Sequence, residues 1–256
     1  MCGRFASFRD AQDLADELAV AEIADDARLL PPSWNVAPTD PVRIVVERPD
    51  RATGVVTRSL RVARWGLVPS WSKDPSAGAP MFNARAESLQ DKPAFAKPFA
   101  ARRCIVPAEG YFEWRKLADG GGSASGGSRV PKQAYWITPA DGGVTALAGL
   151  YEFWRDPSRP DDDPARWVVS TTVVTTAASG TLAAIHDRVP LVLPPDAWDA
   201  WLSPGVGADE AAGLLRTPGV TLHALPVGDA VGSVRNNDAS LIEEDPAPRD
   251  PDPVLA

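Results

Sequence analysis

The stretch Cys104-Ile105-Val106-Pro107-Ala108-Glu109-Gly110-Tyr111-Phe112-Glu113-Trp114 contains two short runs of residues that favour β-structure. These runs are Cys104–Val106 and Tyr111–Trp114, and proline and glycine lie between them. Valine, isoleucine and aromatic residues bounded by proline and glycine are typical of short strands. The stretch therefore predicts two strands, the second of which carries a carboxylate, Glu113, between two large aromatic side chains.

The rest of the chain predicts more short strands than helices. Apolar spacing predicts a helix over Ser7–Glu22 with Ser7 as its N-cap, and short helices over Asp196–Leu202 and Ala208–Arg216. Three prolines predict a loop over Ser33–Pro38. Further strands are predicted at Val42–Val46, Leu60–Trp65, Ala134–Thr138, Trp167–Val174, Arg188–Leu193 and Val220–Leu225. Without regular βαβ alternation, this order predicts an α+β fold: one domain over residues 1–242 with a mainly antiparallel, barrel-like core and flanking short helices.

Composition and charge narrow the class of protein. Hydrophobic residues make up 44% of the 256 residues and charged residues 23%, as in ordinary globular domains. No apolar run approaches the roughly 20 residues of a membrane helix, and residues 1–10 lack the apolar stretch of a signal peptide. We therefore expect a cytoplasmic protein with no membrane partner. The net charge of −8 argues against a general nucleic-acid binder, but acids concentrated in Asp156–Asp163 and Glu243–Ala256 leave room for a basic groove elsewhere.

Two segments are predicted to be flexible. Residues 117–130 are rich in glycine and serine and lie between two predicted strands, which indicates an insertion in a hairpin. Residues 243–256 are acidic and rich in proline, which predicts a disordered tail. The two cysteines and two histidines have no zinc-ligand spacing, so we expect neither a metal site nor another cofactor.

Cys2 is the first candidate for chemistry. Because residue two is small, removal of Met1 is expected, which leaves Cys2 with a thiol and a free α-amine. The amine has a reference pKa of about 7.7–8.0, so part of it is unprotonated at neutral pH. An N-terminal aminothiol condenses with an aldehyde to an imine and then closes to a thiazolidine. By position alone, however, an ordinary small residue after the initiator is the commoner explanation.

Three other stretches carry polar groups with two interpretations each. In an extended chain, Asn83, Arg85 and Glu87 share one face, which indicates either a polar ligand site or a hydrated strand edge. Glu113 is either a desolvated general acid/base or an outward-pointing residue on a strand whose aromatic neighbours point inward. His186 is either a proton shuttle or a hydrogen-bonded structural residue.

Two residue types suit binding of a nucleic acid. Arg4 carries a guanidinium fork that matches phosphate, although a surface arginine is the alternative. The chain has nine tryptophans, most of them expected in the core. An exposed tryptophan on a loop stacks with an unpaired base, a contact worth ~1–3 kcal/mol.

Taken together, the motifs resemble the SRAP family, the abasic-site processing proteins first described as SOS-response-associated peptidases. They occur in order over about residues 1–240. The matching motifs are Met1-Cys2-Gly3-Arg4-Phe5, Trp34-Asn35-Val36-Ala37-Pro38, Arg64–Trp71, Phe82–Glu87, Cys104–Trp114, Thr175–Ala178, Ile185–Leu191 and Val231–Asn236.

The resemblance implies an enzyme that shields abasic sites in single-stranded DNA by a covalent thiazolidine crosslink through Cys2. It implies that Asn83 orients Cys2, that Glu113 is the acid/base and that His186 protonates the sugar oxygen. Lyase activity and peptidase activity, including removal of Met1, are further expectations. The implied partner is single-stranded DNA, including its junctions with duplex, bound by a monomer near the nucleoid.

The resemblance also implies DNA contacts. Phosphates are expected at Arg4 and Arg85, a wedge or stacking surface at Pro38 and Trp71, and a weaker contact at Thr175. One departure is that Ser72 follows Trp71, where some members have a second tryptophan, so a smaller stacking surface is expected.

Competing functions remain open at this stage. An N-terminal-nucleophile hydrolase, either a peptidase or a glutamine amidotransferase, also begins Met-Cys-Gly. The amidotransferase motifs Arg-Gly-Pro-Asp-Gly and Asn-Gly-Glu are not found in this sequence. A non-catalytic single-strand binder is the remaining alternative, and it predicts that Cys2 is dispensable.

Overall fold

The computed structural model describes residues 2–117, 131–216 and 220–249. The strands of this part are β1 (Arg4–Ser7), β2 (Glu22–Ile23), β3 (Ser33–Val36), β4 (Pro41–Pro49), β5 (Val56–Trp65), β6 (Asn83–Arg85), β7 (Arg103–Ala108), β8 (Gly110–Lys116), β9 (Lys132–Pro139), β10 (Thr145–Arg155), β11 (Trp167–Ala177), β12 (Arg188–Pro190) and β13 (Leu222–Val227).

Helices are short and lie between the strands. The α-helices are α1 (Ala11–Glu17), α2 (Asp25–Leu29), α3 (Pro93–Ala101), α4 (Trp198–Leu202) and α5 (Ala208–Leu214). The 3-10 helices are Pro75–Gly78, Ala86–Ser88, Pro164–Arg166, Gly180–Ala184, Pro195–Ala197, Asp229–Gly232 and Ala239–Ile242. Within the described ranges, no helix is both long enough and apolar enough to cross a membrane.

The strands form two sheets. One has the order β13-β9-β8-β1-β3, and the other has the order β12-β11-β10-β7-β4-β5-β2, with β6 also paired to β11. A parallel pairing of β5 with β11, in which Arg64 lies opposite Ser170, closes β11, β10, β7, β4 and β5 into a ring. Most of the remaining ladders are antiparallel. The predicted α+β fold with a barrel-like core is therefore confirmed.

Alternation along the strands divides the core into layers. In β8, Tyr111 packs between the two sheets, whereas Phe112 packs on the opposite side against the C-terminal 3-10 helices. In β7, Cys104 faces the five-stranded sheet and Ile105 faces the helices. Because successive side chains of a strand point to opposite faces, strands with both faces buried supply two layers of core at once. The layer between the sheets is the one that contains Cys2.

Two local predictions near the N-terminus are wrong. Ser7 does not cap a helix, because it ends β1 and pairs with Ser33. Helix α1 is capped instead by Asp10, whose side chain accepts a 2.7 Å hydrogen bond from the Gln12 backbone N–H. Residues 33–36 are not a loop, since β3 forms an edge of the five-stranded sheet. Pairing of β1 with β3 overrides the local helix-cap signal at Ser7 and the local proline signal at residues 33–36.

The predicted flexible segments lie partly outside the described residues. Strands β8 and β9 pair as far as Lys116 and Lys132, so the 117–130 insertion joins two hairpin strands, but residues 118–130 are not described. The predicted start of the tail at residue 243 is too early. Glu244 pairs with Val227, and the Arg249 backbone N–H donates to Gln133 at 2.8 Å, so residues 243–249 pack on the domain. Residues 250–256 are not described.

Candidate active site

Cys2 precedes β1 and is packed between the two sheets with no exposed surface. Its backbone carbonyl accepts a 2.6 Å hydrogen bond from Asn83 Nδ2. Asn83 is held there because β6 runs parallel to β11, with Asn83 opposite Val173. The structure therefore brings together two residues that are far apart in the sequence and that the motifs marked as site candidates. Met1 lies outside the described residues.

The environment of Cys2 keeps its sulfur protonated. Burial raises the pKa of the Cys2 thiol above its ordinary value, and the nearby Glu113 carboxylate raises it further. The sulfur lies 3.8 Å from the Arg4 carbonyl oxygen, the acceptor for its S–H. The buried Asn83 Oδ1 has no hydrogen-bond partner among the described residues. The site therefore combines a neutral thiol with a buried hydrogen-bond acceptor beside it.

Glu113 shares a face of β8 with Tyr111, two residues earlier. That face is the one between the sheets, and Glu113 has only 4% of its surface exposed. Burial raises the pKa of the Glu113 carboxyl above its ordinary value, and His186 is among the charges that oppose this rise. The outward-pointing interpretation of Glu113 is therefore wrong. Its proton is retained to higher pH than that of a solvated glutamate, as general acid catalysis requires.

His186 follows the 3-10 helix Gly180–Ala184 and carries two contacts on one nitrogen. Nδ1 accepts a 3.0 Å hydrogen bond from the Arg188 backbone N–H and lies 2.7 Å from Asp187 Oδ1. Both neighbours contact the same ring nitrogen and come from the two residues that follow in the chain, so the imidazole is oriented by its own loop.

Arg188, two residues after His186, is a further cation of the site. Its guanidinium makes paired hydrogen bonds of 2.7 and 2.9 Å with Glu87 and a third of 2.6 Å with the Thr175 carbonyl. Thr175 itself is fully buried, and its hydroxyl lies 3.4 Å from the Ala84 carbonyl. The predicted direct contact between Thr175 and DNA is therefore corrected to support of Arg188 from within the sheet.

The two other predicted arginines differ in their surroundings. Arg85 is exposed at the end of β6, two residues from Asn83, and is accessible to a ligand beside Cys2. Arg4 is only partly exposed, and its Nη1 donates 3.0 Å hydrogen bonds to Asn35 Oδ1 and to the Val231 carbonyl. Arg4 therefore ties the N-terminal strand to the last motif of the chain, so less of its guanidinium is free for a ligand.

Trp71 is presented to solvent by an anchored loop. Its side chain is 68% exposed, whereas Val68 before it is buried and donates its N–H to Ser170 Oγ at 2.8 Å. After Trp71, the Ser72 carbonyl accepts a 2.8 Å hydrogen bond from Trp154 Nε1. An exposed aromatic ring on a fixed loop is suited to stacking with a flat ligand.

The loop that presents Trp71 follows β5 directly, and its first residue has to be glycine. Gly66 has φ +123°, and a Cβ there would lie 2.6 Å from the Gly78 carbonyl oxygen. No L-residue with a side chain fits this backbone without strain. Pro38 lies beside the same point, because the N–H of the next residue, Thr39, donates to the Trp65 carbonyl at 2.7 Å. The structure thus brings the predicted wedge residue and the predicted stacking loop to one region.

A groove of about 390 Å³ opens next to His186. The groove is lined by the segment 183–187, by the aromatic ring of Trp114 and by the cations Arg115 and Lys116. Asp187 also lines the groove, so its charged side chains are of both signs. Within the described part of the chain, no group of three His, Cys, Asp or Glu side chains is arranged to hold a metal ion.

The sequence also matches a known family. The model of the family described as SOS response associated peptidase (SRAP) matches residues 1–234. The chain belongs to the SRAP family. Among curated SRAP relatives, the abasic site processing protein YoqW of Bacillus subtilis is 33% identical over 245 residues, covering 95% of this chain and 99% of the relative. The abasic site processing protein YedK of Escherichia coli is 31% identical over 249 residues, covering 95% and 99%.

A solved structure shares the SRAP fold described above. A protein from Bacteroides thetaiotaomicron superposes with a TM-score of 0.75 at 23% identity, covering 95% of this chain and all of the other. At this identity the likeness concerns the fold alone.

Proposed function

We propose that this SRAP protein processes abasic sites by forming a covalent thiazolidine crosslink between Cys2 and the lesion in single-stranded DNA. The observation that carries the proposal is the Asn83 hydrogen bond to the Cys2 carbonyl beside the buried Glu113. An abasic sugar in its open form presents an aldehyde. The site offers what an aldehyde needs: a chain-start amine once Met1 is removed, a thiol on the same residue and a carboxyl whose pKa is raised by burial.

The amine acts first in this proposal. The α-amine of Cys2 attacks the aldehyde carbon and forms a carbinolamine. Glu113, whose pKa is raised by burial, then gives its proton to the departing hydroxyl, so that water leaves and a protonated imine forms. The Glu113 carboxylate takes the N–H proton back, which leaves the neutral imine. The hydrogen bond from Asn83 holds the Cys2 backbone while the amine attacks, which is the geometric part of the catalysis.

The thiol acts second. Sγ adds to the imine carbon, the C–S bond forms as the C=N π electrons move to nitrogen, and the thiol proton ends on that nitrogen. No group leaves, and no oxidant is needed. Because burial raises the pKa of the Cys2 thiol, the sulfur enters this step as S–H. His186 serves the step before both, in which the closed sugar opens and its ring oxygen takes a proton.

The surfaces around the site support binding of a single strand. Trp71 offers a stacking face for an unpaired base, and Arg85 offers a guanidinium for a phosphate beside Cys2. The groove beside His186 carries Arg115 and Lys116 along the path away from the lesion. Pro38, next to the Trp71 loop, suits a wedge where the single strand meets duplex. We expect a cytoplasmic monomer that acts on nucleoid DNA and shields the lesion.

Two further activities belong to the same proposal. An imine at the sugar makes the neighbouring carbon–hydrogen bond acidic, so strand cleavage by β-elimination is the lyase activity to measure. Removal of Met1 by the protein itself is the peptidase activity to measure. A glutaminase is the competing hydrolase, and the raised pKa of the Cys2 thiol disfavours it, because that chemistry begins with attack by the sulfur.

The test is incubation with a single-stranded oligonucleotide that contains one abasic site, followed by a denaturing gel. We expect a shifted band for the native protein and none for Cys2→Ala. Cys104→Ala is the matched control, because Cys104 is the other fully buried cysteine and should not affect the band. A short uncleaved extension before Cys2 should also abolish the band. A stable band with Cys2→Ala would refute the proposal, as would glutamine hydrolysis without crosslinking.

A further inference from the structure

Tyr111 carries a buried hydroxyl that the mechanism above leaves unused. Its side chain has no exposed surface, and Oη has no hydrogen-bond partner among the residues described. A buried polar group without a partner lowers the stability of the folded state, so such groups are uncommon in native cores. When one occurs, a functional constraint at that position is a frequent physical reason.

The position of Tyr111 places its side chain in the core layer that contains Cys2. Tyr111 lies two residues before Glu113 on the same face of β8, the face between the sheets. In the ladder between β1 and β8 it pairs with Phe5, three residues after Cys2, and it belongs to the same apolar cluster as Cys2. Asn83, whose Oδ1 also has no hydrogen-bond partner among the described residues, contacts the Cys2 carbonyl through Nδ2.

The hydroxyl is a permanent donor in this environment. Burial raises the pKa of Tyr111 well above its ordinary value, and the Cys2 and Glu113 charges raise it further. The phenol therefore keeps its proton over the whole working range of the enzyme. A group of this kind orients a neighbour by hydrogen bonding and does not exchange its proton.

We propose that Tyr111 is a positioning residue for the Cys2 sulfur during closure of the thiazolidine ring, an inference that rests on the proposed function. In this structure Sγ is turned toward the Arg4 carbonyl, 3.8 Å away. Once the imine has formed, the sulfur must rotate toward the imine carbon. The Tyr111 O–H donates to a sulfur lone pair and holds that rotamer, while the thiol proton passes to nitrogen as the C–S bond forms.

The Cys2 sulfur is the expected partner of the Tyr111 hydroxyl, because imine formation, the earlier step, already has its own acid and its own positioning group. Imine formation uses the amine, with Glu113 as the acid and Asn83 on the backbone, and the sulfur is not involved. Loss of the hydroxyl should therefore slow ring closure and spare the imine. A purely structural role of Tyr111 would slow both steps together.

Tyr111→Phe separates the two steps, because it keeps the ring and removes only the oxygen. Processed protein is mixed with the abasic oligonucleotide, and each sample is split. Sodium borohydride added to one half traps imine as a stable amine, and the untreated half reports the closed adduct that survives denaturation. We expect trapping of the imine at the native rate and closure slowed roughly 2- to 12-fold, the range for one lost neutral hydrogen bond.

Thr172→Val is the matched control. Thr172 is fully buried and its hydroxyl also has no partner among the described residues, but it pairs with Leu150, which packs on the helix side of the sheet. This variant should leave both rates unchanged. Thermal melting of Tyr111→Phe should match or exceed that of the native protein, because an unpaired polar atom has been removed.

The outcomes separate this inference from the function on which it rests. Native closure kinetics in Tyr111→Phe overturn the positioning role and leave the crosslinking function intact. An equal slowing of trapping and closure also overturns it, because that pattern reports a general disturbance of the site. If the native protein forms no Cys2-dependent adduct, both proposals fall together.

Discussion

Asn83→Ala tests the contact on which the proposed chemistry depends. The substitution removes the 2.6 Å hydrogen bond from Nδ2 to the Cys2 carbonyl and leaves that carbonyl buried without its donor. A buried polar group left without a partner costs ~1–3 kcal/mol, and here we expect that cost to appear as disorder of Cys2, the residue that reacts. Because each 1.36 kcal/mol is tenfold in rate, we expect crosslinking to slow by roughly 5- to 150-fold. Asn83→Asp should be at least as slow, because a carboxylate oxygen then faces the carbonyl oxygen.

The assay is single-turnover crosslinking with the protein in excess over the abasic oligonucleotide. Binding is measured separately with an intact strand and should change little, since the lost bond lies within the protein. Gln133→Ala is the matched control: its buried amide also donates to backbone carbonyls, at 2.9 Å to Val227 and 3.0 Å to Ala134. It should lower stability and leave the crosslinking rate of the folded protein unchanged. A native rate in Asn83→Ala, or an equal loss in Gln133→Ala, would show that the Asn83 contact does not position Cys2.

Three further predictions concern Glu113 and the Trp71 loop. Because burial raises the pKa of Glu113, the native crosslinking rate should fall as pH rises through that pKa. Glu113→Gln should crosslink more slowly, and its rate should not show this fall at alkaline pH. If the variant still shows the fall, a group other than Glu113 causes it. Trp71→Ala should weaken binding of single-stranded DNA by ~1–3 kcal/mol, whereas Trp167→Ala, at 50% exposure, should not; equal losses by fluorescence titration would contradict stacking at Trp71. Gly66→Ala should lower the free energy of unfolding in urea more than Gly142→Ala does. Both glycines have positive φ, but only Gly66 has an atom close to the added Cβ. Equal losses in the two variants would show that backbone strain alone, without the steric contact, accounts for the effect.

The strand pattern shows how far local signals reach. The runs at Val42–Val46 and Trp167–Val174 lie within observed strands, because β-branched residues on a half-buried surface are a local property. The central strand β10 was not predicted, and Ser33–Pro38 was predicted as a loop. Both errors concern strands whose formation depends on partners far away in the sequence. Local propensity contains no information about those partners.

The candidate site shows the same division. The aminothiol chemistry of Cys2, the motif order and the resemblance to SRAP proteins all follow from residue types and their positions. Thr175 was predicted to contact DNA, and the structure buries it completely. Arg188 stands beside His186 in the sequence, but only the structure shows that it pairs with Glu87. Exposure and pairing depend on which strands lie side by side, and the motifs do not specify that.

For this protein the sequence by itself determined the residue types of the site and the alternation that puts Tyr111 and Glu113 on one face of a strand. It did not determine which face of β8 surrounds the reactive centre, because both faces are buried and both carry aromatic residues. Only the packing of the two sheets decided that Glu113 is desolvated beside Cys2. The physical reason is that a pKa and a hydrogen bond depend on distances across the fold, whereas a period of two is a property of the strand alone.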